Sequence, residues 1–297
     1  METIIRRRLA TDAELCAHLA VYGSDAAIFY RKAPADTDSP ESFYPHVVLN
    51  VDRYSDPQKG VAGMLNVDII CTQVTEPPED FERIIRRRLE GVFMRPTDGE
   101  IFSLKWQRTD VFTELEREKT PLIIGASMTF ELYEFPLVET SEPDPIAALN
   151  AWASQFGVAI IGITEFSDFL EPTRERPAIY FDVQKIRLGE QHSTATFVSA
   201  TVNLHVFAPD VRTRRQWLTI INQQLIMERI ICTADGARLM LEDFEYLWAA
   251  SEVQGQIQYK FTFGITREYP YAHPLIGKEV SFDSNVRWQH VHNQRIH

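Results

Sequence analysis

The chain reads as one folding unit written twice, and a duplication restricts a fold more tightly than composition can. Residues 45–71 run PHVVLNVDRYSDPQKGVAGMLNVDIIC and residues 177–207 run PAIYFDVQKIRLGEQHSTATFVSATVNLHVF. Both hold a proline, an apolar strand, a polar turn and a second strand of alternating character. A helical pattern follows each, FERIIRRRLEGVFM at 81–94 and RRQWLTIINQQLIM at 214–227, and then an Asp-Gly pair, Asp98-Gly99 and Asp235-Gly236. Each copy closes on a strand ending in proline, Pro136 or Pro270, so that 91 positions separate opening from closing proline in the first copy and 93 in the second.

Upstream of the opening prolines the pattern agrees again. A helix is expected at about 3–21, with Ile4, Ile5, Leu9, Leu15 and Leu19 on its apolar face, leading into the short run Ala26 to Tyr30. The second copy starts at Asp144-Pro145, a capping residue with proline at the first helical position, and continues through Ile146, Leu149, Trp152 and Phe156 to an apolar stretch at 158–163. Each copy is then helix, short strand, strand, strand, helix, strand, strand. Connections at 55–60 and 188–193 are hairpin-length. On Met64 to Thr72, Leu65, Val67, Ile69 and Cys71 share one face, while Asn66, Asp68 and Ile70 take the other. The expected class is α+β: two tandem, related modules, each a mostly antiparallel sheet with helices on one face. We place them at 1–140 and 141–270, with SEPDP as linker, and a C-terminal extension at 271–297.

Composition narrows the chemistry. Thirty Lys plus Arg against 42 Asp plus Glu give a net charge of −12, which disfavours a nucleic-acid binder. Three cysteines without a CxxC pair argue against a disulfide framework or a thiolate zinc site. No apolar run approaches bilayer length, and the arginines at the start precede no signal-like apolar stretch, so neither a membrane nor a secretory route is expected. Gly-rich phosphate cradles, a GxSxG elbow, HExxH and calcium-loop spacings do not occur. We expect no enzyme, no cofactor and no metal. His290 and His292 would share a strand face, yet no carboxylate or thiolate stands near them in sequence, and a solvated tail accounts for them. IIRRRL occurs at 4–9 and 84–89, an offset of 80 against a duplication distance of about 132, so the two strings sit on different elements of the first copy. Solvated or subunit-facing helix edges, with Glu14, Glu82 and Glu90 as pairing partners, account for both.

Positions that neither core requires are the candidates for partner contact. They are Arg53, Tyr54 and Lys59 on one hairpin, Arg187 and His192 on its counterpart, Arg108 and Arg117 in the charged stretch 107–120, and Arg287 and Trp288 in the extension.

The segment from Ala26 to Pro136, with AIFYRKAP, YPHVVLNVDRYSD, MLNVDIICTQ, FERIIRRRLEGVF, DGEIFSL and MTFELYEFP, resembles the tail terminator or tail-completion proteins of tailed bacteriophages; the second copy extends the likeness over most of the chain. The resemblance implies a structural virion protein of the tail and neck, assembled in the host cytoplasm. It would be a ring that ends tail-tube polymerisation and joins tail to head. Its implied partners are itself, the tail tube protein, the neck or connector protein, and the sheath protein where the tail is contractile. DNA would pass through the lumen without specific binding. That family usually carries one module, so the duplication implies six chains with twelve modules, which we favour, or three chains as a pseudo-hexamer. Another neck, adaptor or baseplate protein, and a two-domain enzyme or ligand-binding protein with a site between its halves, are the alternatives.

Overall fold

The structure is a computed structural model and describes residues 1–34, 44–56, 60–72, 75–114, 122–137, 143–192, 195–234, 236–247 and 250–266. In chain order the elements are α1 (Glu2–Ala10), α2 (Ala13–His18), β1 (Val21–Tyr22), β2 (Asp25–Ala26), β3 (Ile28–Tyr30), β4 (His46–Asp56), β5 (Val61–Thr72), α3 (Pro78–Leu89), β6 (Phe93–Met94), β7 (Ile101–Glu114) and β8 (Ile123–Phe135). They continue with α4 (Pro145–Ser154), β9 (Ala159–Ile160), β10 (Phe169–Leu170), β11 (Ala178–Gln191), β12 (Ala195–Phe207), α5 (Val211–Glu228), β13 (Ile230–Cys232), β14 (Arg238–Tyr246) and β15 (Ile257–Thr266). The protein is α+β, with strand outweighing helix two to one, so the sheets organise it.

Two compact units result. The first is Met1–Pro136 together with Glu165–Pro172, and the second is Leu137–Thr164 together with Thr173–His297. In the first sheet the strand order is β10, β6, β7, β8, β5, β4, β3, and in the second it is β13, β14, β15, β12, β11, β9, so that six strands correspond once β10 is set aside. Neighbours are antiparallel throughout, except at the last place, where β3 lies parallel to β4 and β9 parallel to β11. Strand for strand the topology is the same. In both, the long strand β7 or β14 is bent by one extra residue, Gln107 or Glu242, where the ladder shifts register.

Apolar alternation explains which face each sheet buries. Leu65, Val67, Ile69 and Cys71 of β5 join Ala126, Met128, Phe130 and Leu132 of β8 beneath Ile4, Ile5 and Leu9 of α1 and Phe81, Ile84, Ile85 and Leu89 of α3. The second core repeats the plan with Val198 to Val206 on β12 and Ile257 to Phe263 on β15 under α4 and α5. Each such side chain, fully buried, stabilises its unit by about 1.5–3 kcal/mol before chain entropy is counted.

Four expectations need correcting. The single helix at 3–21 is two, because Thr11 ends α1 and the Asp12 carboxylate accepts from the Leu15 amide to start α2. The helix at 81–94 ends at Leu89, where Gly91 takes a left-handed φ of 71° and the chain turns into β6. The charged stretch 107–120, expected as a protruding hairpin or loop, is strand as far as Glu114, where β7 ends. Finally, the sequence reading assigns everything from 141 to 270 to the second module, whereas β10 pairs with β6 and adds a seventh strand to the first sheet.

Candidate interface surfaces

Both β4 and β11 begin under cover and end in solvent. β3 pairs only with Val47 to Leu49, and β9 only with Ala178 and Ile179, so the outer halves of β4 and β11 are held by one neighbouring strand. Residues 52–55 of β4 and 184–191 of β11 are exposed.

These outer halves carry three of the candidate residues, Arg53, Tyr54 and Arg187, and a fourth, His192, follows β11 directly. The Arg53 guanidinium reaches Glu134 of β8, crossing β5 at Gly63, its register partner. A side chain there could not fit: its Cβ would stand 2.5 Å from the Asp52 carbonyl oxygen. Arg53, exposed Tyr54, Ser55, Asp56, Gly60, Val61, Ala62 and Glu134 line an open groove of about 410 Å³. Arg187 lies on exposed β11. His192 follows that strand, 3.7 Å from the Glu190 carboxylate and edge-on to the Phe197 ring at 5.7 Å. Arg108 is on β7, separated from β4 by β8 and β5, and pairs with Asp110 at 3.0 Å. Within the first unit, Arg53 with Tyr54 and Arg108 therefore form separate patches. Lys59, Arg117, Arg287 and Trp288 lie outside the described residues, as do His290 and His292.

The arginines of the two IIRRRL strings are taken up by ion pairs and hydrogen bonds within the first unit. Arg6 donates to the Ile28 carbonyl at 3.0 Å and stands 3.4 Å from Asp25. Arg7 pairs with Asp168 at 2.7 Å. Arg8 pairs with Glu171, donates to the Arg88 carbonyl at 3.1 Å and lies over the Phe169 ring. From α3, Arg86 pairs with Glu90 at 2.7 Å and lies over the Trp106 ring at 3.9 Å, Arg87 pairs with Glu14 at 2.5 Å, and Arg88 pairs with Asp12. Every one of the six arginines is engaged, so neither string is a spare basic patch. Burial pushes the Asp12 carboxyl up, but the Leu15 amide and Arg88 more than offset it, and its pKa lies below the usual carboxylate range.

In the second unit His205 on β12 is a buried titratable group. Its Nδ1 donates to the Glu252 carbonyl at 3.0 Å, while its ring packs between Tyr180 and Phe207. Burial pushes its pKa down to about 4. Beside it, Gln256 bonds the Val206 backbone twice, accepting from its amide at 2.9 Å and donating to its carbonyl at 3.0 Å. The side chain thereby extends the ladder past the end of β15.

Sequence reasoning found Glu14 and Glu90 as arginine partners but missed Asp12, Asp168, Glu171 and His205. Thr11-Asp12 is a helix-start signal that could have exposed the first. The acids Asp168 and Glu171 stand some 160 residues from their arginines, and no local pattern joins them. All three cysteines are free, and burial pushes the Cys71 thiol up to about 11. Among the described residues no group of three or more His, Cys, Asp or Glu is placed to hold a metal ion, and no helix is long and apolar enough to cross a membrane. No protein-family model matches the chain, and no curated protein matches it.

Proposed function

We propose that this chain is a structural protein of a tailed bacteriophage, forming a ring at the head-proximal end of the tail that stops tube growth and joins tail to neck. The observation that carries the reading is one six-stranded topology repeated in tandem, with the outer half of β4 in one copy and of β11 in the other exposed. Strand edges held on one side and uncovered on the other are chemically adhesive, and a monomer gains nothing from carrying them in duplicate. A ring subunit does: one edge meets the neighbour in the ring and another meets the end of the tube. No bond is made or broken. Covering the tube's last layer with a surface of different shape and charge excludes the next tube subunit. A net charge of −12 per chain, multiplied around six chains, keeps DNA moving through the lumen without adhesion.

Imaging and mass measurement of the purified full chain test this. Rings with a central hole, six chains each, are expected, and adding them in small amount to polymerising tube protein should shorten the tubes. Monomers at every concentration overturn the reading; rings that leave tube length unchanged place the protein elsewhere in the particle, as an adaptor or baseplate component.

A further inference from the structure

The second sheet ends in two edges that complement each other. β13 pairs with Arg238 to Met240 only, and the Leu241 amide donates to the Arg229 carbonyl, so Glu242 to Glu245 of β14 have β15 on one side and no strand on the other among the described residues. At the opposite edge, Phe181 to Gln191 of β11 have only β12. Along β11, Lys185 and Arg187 lie opposite Thr201 and Ser199 on the sheet's helix-free face, while Ile186 and Leu188 lie opposite Ala200 and Val198 on the helix side. Ile186 and Leu188 are 49% and 66% exposed. Along β14, Asp243 and Glu245 lie opposite Lys260 and Gln258 on the helix-free face, and Phe244, 37% exposed, lies opposite Tyr259 on the helix side. Basic, apolar, basic on one edge therefore meets acidic, apolar, acidic on the other, with faces matched. None of Lys185, Arg187, Asp243 and Glu245 has an ion-pair partner among the described residues.

We infer that β11 of one copy adds to β14 of the next, head to tail, with Ile186 against Phe244, Lys185 against Glu245 and Arg187 against Asp243. The inference rests on the self-assembling reading above. Three successive antiparallel pairings separate β14 from β11 within the sheet, so a second copy set alongside in the same orientation brings the two edges together antiparallel. A slip of one residue would set charges against apolar side chains, and a slip of two would leave one charge pair unmade, so the register is specified. In the separate chain the Asp243 carboxylate accepts from the Phe244 amide at 2.9 Å. Arg187 arriving from the neighbour draws that carboxylate away and frees the amide for the new ladder. Among the described residues of the first unit, Arg53 and Arg108 are not free for such a pairing, because Arg53 is engaged with Glu134 and Arg108 with Asp110 inside the unit. An interface between two different edges repeats head to tail, and it closes into a ring when the rotation per step divides a full turn.

The test measures assembly of the full chain by mass and imaging for wild type, for Lys185→Glu with Arg187→Glu, for Asp243→Lys with Glu245→Lys, and for all four changes together. Each reversed pair is expected to raise the concentration needed for assembly by about tenfold or more, and the fourfold variant to recover most of it. Independently, Ile186→Cys with Phe244→Cys, in a background with exposed Cys232 replaced by serine, should cross-link copies under oxidation into a ladder of covalent oligomers. Wild-type rings that ignore both charge reversals and give no ladder would overturn this interface while leaving the ring reading intact. A wild-type chain that stays monomeric overturns both.

Discussion

In the first unit, a buried carboxylate at Asp12 is met by the Leu15 amide and Arg88, and Arg7, Arg8 and Arg87 each find a carboxylate beyond their own helix. In the second unit, the Oδ1 atoms of Asn150 and Asn222, the Nε2 of His205 and the hydroxyl of Tyr259 are buried without a hydrogen-bond partner in the structure. Among the described residues all such orphaned side-chain atoms belong to the second unit. The topology is nevertheless the same. Strand order and buried face follow apolar alternation, which both copies kept, whereas the satisfaction of buried polar groups affects stability without redirecting the chain.

That contrast can be broken most forcefully at Asp12. Asp12→Ala removes the α2 cap and leaves Arg88 without its acceptor, and it should destabilise the first unit by about 3 kcal/mol. Hydrogen exchange of peptides from α1 to α3 should speed up, while α5 peptides keep their protection; equal loss in both units would show that the two do not unfold separately.

Acid should separate the units in the other direction. The folded pKa of His205, about 4, lies below its ordinary value, so its contribution is complete above about pH 6.5 and is lost as pH falls from there toward 4. The second unit should lose about 2 kcal/mol between about pH 7 and about pH 5. Asp12, with its lowered pKa, holds its contribution until pH falls below about 4. Denaturant unfolding across this range should find the second unit giving way first, and His205→Gln should flatten its pH dependence.

The smallest effect is the sharpest comparison. Aligning the units on Pro45 and Pro177 puts Phe130, opposite Leu65, and Tyr259, opposite Val202, at the same place in the two sheets. They differ by one hydroxyl, and in Tyr259 it is orphaned. Tyr259→Phe should stabilise the second unit by about 1 kcal/mol, and Phe130→Tyr should cost the first about as much. Opposite signs in melting experiments confirm the contrast; equal signs break it.

Much of the fold was legible because duplication and alternation are local and repetitive. The faces of β5, the opening prolines and the Asp144 cap all stand in short stretches of sequence. What escaped was either too short or too distant. β6 and β10 have two residues each and make a strand only by pairing with one another and β7. The Arg8–Glu171 pair links opposite ends of a long excursion of chain. Of the proposed interface, the exposed ends of β4 and β11 were legible from polarity and length, and Arg187 stood among the candidates for contact. Its match to Asp243 was not, because complementarity between two edges depends on which strands end up outermost, and only the assembled sheet settles that.

The return of Glu165–Pro172 to the first unit has a consequence for how the protein is made. Translation must continue well into the second copy, to residue 172, before the first copy possesses its seventh strand and the carboxylates that hold Arg7 and Arg8. A gene cut at the apparent midpoint would not yield two independent halves. The repeated topology is thereby bound into a product that the ribosome must finish as one piece.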